Sequence, residues 1–538
     1  MANIIGSNGN DTLAGSDSAD TIKGLAGNDI LNVDSSTGKN TLDGGAGDDE
    51  LYANGSTGDN LLLGGDGNDI LSASELSFET GLGYGFIGSS GNNTLNGGAG
   101  DDTLRAESPK GNKLLSGDDG NDYLSTSGVY AYGRYGYTLG SLGNNTLNGG
   151  TGDDTLRAEI STGNNLLFGG DGNDNLSISG IVSETSGGDF YDPSSGNNTL
   201  YGGTGDDTLR AEISTGNNLL SGGDGNDSLY LSTSSPDTVR SYLVTQTVDG
   251  GQADDLLSVD YSNATGGITT TFNATTNIGS MTAGKYKVSY KNIERLNISG
   301  TDYDDLIVGS NGNDTLSTGG GNLISTSNGD VLSTGGSGKD TIDGGNGDDL
   351  LSVDYRSNAT AGITSTFNAS TNIGSIMAGM NQVSYKNIER LNISGTNYDD
   401  LIVGSNNNDT LSGGSDGNDT LYGGAGSDIF AFNYYYSFYE SVASLYDFDA
   451  TNELIQISAY KFTYVFYDSG LRLSPGSLSA SQFTFGTSAT TIAQRFIYDN
   501  VTGGLFFDPD GSASAFTQEK FAQLSAGLSL TENNFVVV

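Results

Sequence analysis

Aspartate set at a fixed distance after paired glycines is the chemistry this sequence offers most often. The phrase Gly-Gly-x-Gly-x-Asp begins at Gly44, Gly64, Gly97, Gly149, Gly169, Gly202, Gly222, Gly335, Gly344 and Gly423. Its sixth residues are Asp49, Asp69, Asp102, Asp154, Asp174, Asp207, Asp227, Asp340, Asp349 and Asp428. Looser copies begin at Gly6, Gly24, Gly117, Gly250, Gly309, Gly404 and Gly414 and end on Asp11, Asp29, Asp122, Asp255, Asp314, Asp409 and Asp419. A carboxylate is a hard, anionic oxygen donor, and Ca²⁺ takes about six to eight oxygens in flexible geometry. Glycine permits positive φ and close backbone approach, so such a turn can aim carbonyls inward beside the carboxylate. These aspartates are therefore expected to bind multiple Ca²⁺ ions, with turns on successive coils sharing an ion and backbone carbonyls completing its shell. Fifth-position residues such as Asp206 and Asn226 are expected to matter less. Without a cation, stacked acids such as Asp48, Asp49, Asp69 and Asp102 would repel one another.

Each turn is followed by x-apolar-x, as in Thr103-Leu104-Arg105, which reads as a very short strand with one inward leucine. A nine-residue period of turn plus strand is the mark of a solenoid, and this phrase is a known Ca²⁺-binding repeat of parallel β-helices. The nonapeptides resemble those of the RTX (repeats-in-toxin) proteins over most of residues 1–430. That resemblance implies an all-β, right-handed parallel β-roll with Ca²⁺ in its Gly-Asp turns. It describes a module and an export class, not one activity.

A longer period lies above the nonapeptide. Gly-Asn-Asn-Thr-Leu followed by a calcium turn starts at Gly91, Gly143 and Gly196, about 53 residues apart. Within each unit two turns lie 20 residues apart, and the remainder holds a Gly/Ser/Tyr-rich excursion: 78–90, 129–142 and 181–195. These excursions are expected to leave one edge of the roll. Their tyrosines (Tyr130, Tyr132, Tyr135, Tyr137) are expected to pack over the solenoid rather than bind a partner. Residues 254–317 and 348–412 form a second duplication, both carrying Val-Ser-Tyr-Lys-Asn-Ile-Glu-Arg-Leu-Asn-Ile-Ser-Gly-Thr. Its basic residues, including Lys285, Lys287, Lys291 and Arg295, are too sparse for a nucleic-acid patch and read as a solvated face.

After Asp428 the glycine turns thin out and aromatics rise, from Phe430 and Phe432 through Tyr434, Tyr435, Tyr436, Phe438 and Tyr439. A hairpin is expected at Phe496–Tyr498 and Leu505–Phe507, and a short helix over Thr517–Leu524. The region is similar to the C-terminal caps of RTX proteins exported by type I secretion, which implies a type I exporter as partner and an uncleaved C-terminal signal. The expected domains are thus 1–250, a roll with excursions; 251–428, two duplicated units continuing the solenoid; and 429–538, a small strand-rich cap and secretion region. Asp508-Pro509-Asp510-Gly511 is only half an EF-hand loop and carries no expectation.

The bulk composition fits this reading. Glycine is 85 of 538 residues, the apolar fraction is 34%, and the formal net charge is -45. An aperiodic chain of that kind would be disordered. The acidic surface disfavours nucleic acid and anionic lipid and favours small cations. With no histidine and no cysteine, Ser-His-Asp, Cys-His and HExxH sites are impossible. Calcium turns start at Gly6, so no catalytic domain is expected before them. No basic segment and apolar run mark an N-terminal signal peptide, and no apolar stretch reaches the ~18 residues of a membrane span. The expected protein is a secreted or cell-surface, calcium-binding structural or adhesive protein, not an enzyme, without membrane insertion. Its open partners are its own copies or a cell-surface glycan. The alternatives are a glycan- or surface-binding solenoid and, last, a carbohydrate-active enzyme with an RTX tail.

Overall fold

The computed structural model describes residues 1–80, 83–87, 89–107, 110–131, 137–185, 188–233, 243–301, 303, 305–312, 314–317, 330–334, 339–344, 348–355, 359–432, 441–459, 462 and 473–538. Two compact units are present: Met1–Thr265 with Phe272–Asn297, and Gly266–Thr271 with Ile298–Val538. Regular structure among the described residues is strand almost throughout, and the fold is a parallel β-roll.

In the first unit each coil gives one strand to each of two parallel sheets. One sheet takes the longer strands, such as Thr21–Ala26, Thr41–Ala46, Leu61–Asp66 and Asn93–Ala99. The other takes three-residue strands, such as Ile30–Asn32, Glu50–Tyr52, Ile70–Ser72 and Thr103–Arg105. Register is strict: Leu42 lies beside Leu62, and Leu62 beside Leu95. Because side chains alternate along a strand, one apolar residue per strand faces inward. Ile22, Leu42, Leu62, Leu95, Leu115 and Leu147 from one sheet meet Leu31, Leu51, Leu71, Leu104, Leu124 and Leu156 from the other, all with no exposed surface. The core is therefore narrow, centred on two leucines or isoleucines per coil with a small apolar residue such as Ala53, Ala73 or Ala106 beside them, and the edges must hold themselves together.

The excursions are antiparallel hairpins: Leu76–Thr80 with Gly83–Ile87, Val129–Ala131 with Tyr137–Leu139, and Ile181–Thr185 with Gly188–Asp192. Each follows a three-residue strand and precedes the return to the longer-stranded sheet, so all leave the same edge, as expected. Tyr132 and Tyr135 lie outside the described residues.

The second unit repeats the two-sheet plan and ends in an aromatic cap. Phe462 packs edge-on against Phe507 and Phe521, with ring centroids 5.0 and 5.7 Å away, and Phe432 meets Phe521 at 5.0 Å. Tyr434, Tyr435, Tyr436, Phe438 and Tyr439 lie outside the described residues. The hairpin Phe496–Asp499 and Gly504–Phe507 forms as the sequence indicates. The helix expected over Thr517–Leu524 does not. Glu519–Gln523 is a strand, antiparallel to Gly504–Phe507 and parallel to Ala443–Leu445. Two open strand partners and burial of Phe521 outweigh a weak local helical preference there. No helix among the described residues is long and apolar enough to cross a membrane.

Candidate metal site: the aspartate edge

Every sixth-position aspartate of the first unit stands just before a short strand, so parallel stacking collects them on one edge. Each backbone N–H donates to Oδ1 of the aspartate one coil on: Asp29 to Asp49, Asp49 to Asp69 and Asp69 to Asp102, all at 2.7 Å. The ladder continues through Asp122, Asp154, Asp174, Asp207, Asp227 and Asp255. Asp11 opens it by donating to Asp29.

The second carboxylate oxygen is the informative one. Oδ2 of Asp29, Asp49, Asp69, Asp102, Asp122, Asp154, Asp174, Asp207, Asp227 and Asp255 is buried without a hydrogen-bond partner. A Cβ placed on Gly149 would collide with Oδ2 of Asp154 and with the carbonyl oxygen of Gly169 on the next coil. The orphaned oxygen and a backbone carbonyl thus crowd one small space that only glycine leaves open. Strands in a sheet stack about 4.8 Å apart. Neighbouring ionised carboxylates at that spacing would repel by about 3.5 kcal/mol at an effective dielectric near 20. Burial, with those neighbours, pushes Asp102, Asp154, Asp207 and Asp255 up to about 7, and Asp122, Asp174 and Asp227 up to about 6.

This arrangement suits Ca²⁺. Among the described residues no three acidic side chains converge, so an ion here draws on one carboxylate per turn and on carbonyls, the hard oxygen set calcium accepts. The bound ion would supply charge neutralisation and a link between coils.

Whether Oδ2 is orphaned depends on the second residue of the turn. In the orphaned turns it has positive φ and stays in register with the next coil, as Gly45 does beside Gly65. Leu25 (φ 92°) and Asp118 (φ 79°) adopt the same conformation despite their side chains. Where the second residue is serine or threonine, its N–H and hydroxyl fold back onto the carboxylate. Ser7 bonds Asp11 this way, and Ser16 bonds Asp20. Asp20 is correspondingly held down to about 2, chiefly by the Ser16 hydroxyl.

The opposite edge of the first unit is built almost entirely of closed turns. Its sixth position carries Asn40, Asn60, Asn93, Asn145, Asn165, Asn198 and Asn218, each buried. The Asn165 amide donates to Ser161 Oγ at 3.0 Å, the Gly163 carbonyl at 3.2 Å and Asn198 Oδ1 at 2.9 Å. Its Oδ1 accepts the Asn145 N–H at 3.2 Å. Asp20 and Gln246 stand at the two ends of this row; Lys113 interrupts it, and its buried ammonium donates to the carbonyls of Lys110 and Gly111. Desolvation lowers its pKa to about 8.

Fifth-position residues form a third, exposed ladder in which amide and acid alternate. Asp153 N–H donates to Asn121 Oδ1, Asn173 to Asp153, Asp206 to Asn173 and Asn226 to Asp206, each at 2.7 Å. Alternation keeps like charges from stacking directly.

In the second unit the aspartates divide. Asp314, Asp409 and Asp428 precede, and Asp349 begins, strands of one sheet; Asp340 and Asp419 belong to the other edge, with Asp305 and Asp400. Asp314 and Asp409 sit in serine turns, their carboxylates bonded by Ser310 and Ser405. Burial nevertheless pushes Asp409 up to about 7, and Asp305 and Asp400 up to about 6. Asp419, with its Oδ2 orphaned, is pushed up to about 8 by burial and Asp400. Its turn starts at Gly413, one residue earlier than the repeat phrase suggests, because a Cβ there would strike Asp419 Oδ2.

Three glutamates escaped the motif. Glu294 and Glu389 accept the N–H groups of Asp255 and Asp349. Glu453 lies against Asp428 and is pushed up to about 8 by burial. Each directly precedes an x-apolar pair, as the motif aspartates do, and that phase was the available signal. The neighbouring basic residues are ion-paired: Arg295 with Asp254 and Arg390 with Asp348, both at 3.0 Å.

The match to a protein family agrees. The family model of the RTX calcium-binding nonapeptide repeat matches residues 5–37, 53–75, 86–108, 139–160, 161–177, 185–213, 214–233, 297–322, 332–353, 392–416 and 414–432. Among solved structures, the extracellular lipase LipA of Serratia marcescens is similar at 13% identity and a TM-score of 0.14, over 74% of this chain. The chain spans 46% of that lipase's length. No curated protein matches the sequence.

Proposed function

We propose that this member of the RTX calcium-binding repeat family is a secreted structural or adhesive surface protein whose roll folds on binding extracellular Ca²⁺. The observation that supports the reading is the row of buried, orphaned Oδ2 atoms from Asp29 to Asp255. Unneutralised, that row opposes folding; with cations bound, it becomes the seam that joins the coils. Binding free energy then acts as folding free energy. Inside a cell, where free calcium is low, such a chain stays extended and can pass an exporter; outside, folding opposes its return. We assign export information to residues 429–538 and no catalytic role to any residue. With neither histidine nor cysteine in the chain, the common nucleophile–base pairs are missing.

Far-UV circular dichroism of the full chain tests the reading. In EGTA the spectrum should be largely unstructured and gain β signal at millimolar Ca²⁺ or below. Mg²⁺ should substitute poorly, because it demands octahedral geometry and releases water reluctantly. A spectrum indifferent to Ca²⁺ would overturn the proposal.

A further inference from the structure

The two edges of the first unit are built from the same turn length but satisfy it by opposite chemistry. On the aspartate edge the sixth side chain accepts one N–H and leaves a second anionic oxygen buried and orphaned. On the other edge the sixth side chain is an amide that accepts the same N–H with Oδ1 and fills the remaining space with a donor. Asn60 shows this: Oδ1 takes the Asn40 N–H at 3.3 Å, while Nδ2 reaches Ser56 Oγ at 3.1 Å and the Gly58 carbonyl at 3.0 Å. The donor hydrogens sit against the oxygens a cation would otherwise gather. Lys113 carries the logic one step further, placing a covalently attached ammonium against the carbonyls of Lys110 and Gly111.

We infer that calcium occupies only one edge of residues 21–255, and that the opposite edge is a metal-independent seam of Asn40, Asn60, Asn93, Asn145, Asn165, Asn198 and Asn218 completed by Lys113 and Gln246. The inference rests on the calcium reading above and adds where the ions are and are not. Its chemical basis is that a site already saturated with donors offers a cation no free oxygen. None of these amides has a buried atom lacking a partner, whereas the aspartates facing them across the roll do. The hairpin excursions enter on this second edge, where the chain is held without an ion.

Bound calcium is counted on the full chain by equilibrium dialysis against Ca²⁺ and atomic emission. Asp154→Asn should lower the count; no change there would overturn the calcium reading itself. Asn165→Ala with Asn198→Ala should leave the count unchanged while lowering the urea midpoint. Lys113→Asn, which gives the seam one more amide, should also leave it unchanged. A lower count in the double variant, or a gained ion in Lys113→Asn, would show that the amide edge holds calcium and would overturn the inference. Should the double variant fail to fold, the lysine variant decides alone.

Discussion

Replacing Asp154 by asparagine should stabilise the roll without calcium and destabilise it with calcium, and alanine separates the charge from the hydrogen bond. Oδ1 of Asp154 accepts the Asp122 N–H at 2.7 Å, and the Asp154 N–H donates to Asp174 at 2.8 Å. Asparagine keeps both bonds and puts an amide donor where the orphaned Oδ2 stood, within reach of a carbonyl as at Asn165. That adds about 0.5–1.5 kcal/mol of net hydrogen bonding. It also removes a carboxylate from between Asp122 and Asp174, a pair of contacts each of order 3 kcal/mol when ionised at an effective dielectric near 20. Because Asp154 titrates near 7 in the calcium-free roll, about half of that repulsion is already relieved by protons at neutral pH. The calcium-free roll should thus gain on the order of 1–3 kcal/mol from Asp154→Asn. Alanine relieves the same repulsion but strands the buried Asp122 N–H, a cost of about 1–3 kcal/mol that cancels most of the gain.

Trimethylamine oxide, which favours burial, can fold the chain in EGTA; the midpoint should fall for Asp154→Asn and stay near the wild type for Asp154→Ala. In saturating Ca²⁺ the urea midpoint should be highest for the wild type, because both variants lose a ligand. If Asp154→Asn were no more stable than the wild type in EGTA, the orphaned oxygen would not be the source of the calcium requirement.

Two further perturbations probe the same framework. The raised pKa values of Asp102, Asp154 and Asp207, about 7 against roughly 3.9 in an unfolded chain, mean that the folded calcium-free roll binds protons more tightly. That stabilisation is fully present below about pH 4 and is lost as pH rises through about 7, so in EGTA the β signal should be stronger at pH 5 than at pH 7.5; the reverse order by circular dichroism would refute it. Leu156→Ala empties a fully buried position between Leu124 and Leu176 and should cost about 2–5 kcal/mol in urea unfolding at saturating Ca²⁺.

Much of this was legible in the residues. Asp49, Asp154 and Asp207 announce themselves by type and spacing, and Leu104 by its place after the turn, because a solenoid turns sequence period directly into position. What stayed hidden was which edge each turn joins. The 20-residue step from Asp29 to Asp49 is one whole coil, yet nothing in the phrase says that the turn halfway round, at Asn40, is the same structure closed by an amide. The second residue of the turn held that information: glycine in most of the orphaned aspartate turns, Ser36, Ser56 and Ser161 in the amide turns. The helix expected at Thr517–Leu524 failed for a different reason, since its fate was set by strands far away in sequence.

The division of labour between edges also accounts for where the excursions sit. An insertion interrupts the chain between one strand and the next turn, and the turn must then rebuild itself without guidance from the preceding strand. On the aspartate edge, rebuilding would have to bring a buried carboxylate back into a row of like charges. On the amide edge the returning segment meets neutral partners. After the 181–195 excursion, Asn198 donates to the Gly196 carbonyl at 2.8 Å and to Asn218 Oδ1 at 3.0 Å, and the Asn165 N–H donates to its Oδ1 at 2.8 Å. Ser194 Oγ donates to the Ser161 carbonyl at 3.0 Å in the same turn. Such bonds are short-range and independent of ion supply, so they re-establish register wherever the loop happens to return. The charge-bearing edge stays uninterrupted, as a continuous row of binding sites requires, and the variable segments are carried by the edge whose closure asks nothing of the solvent.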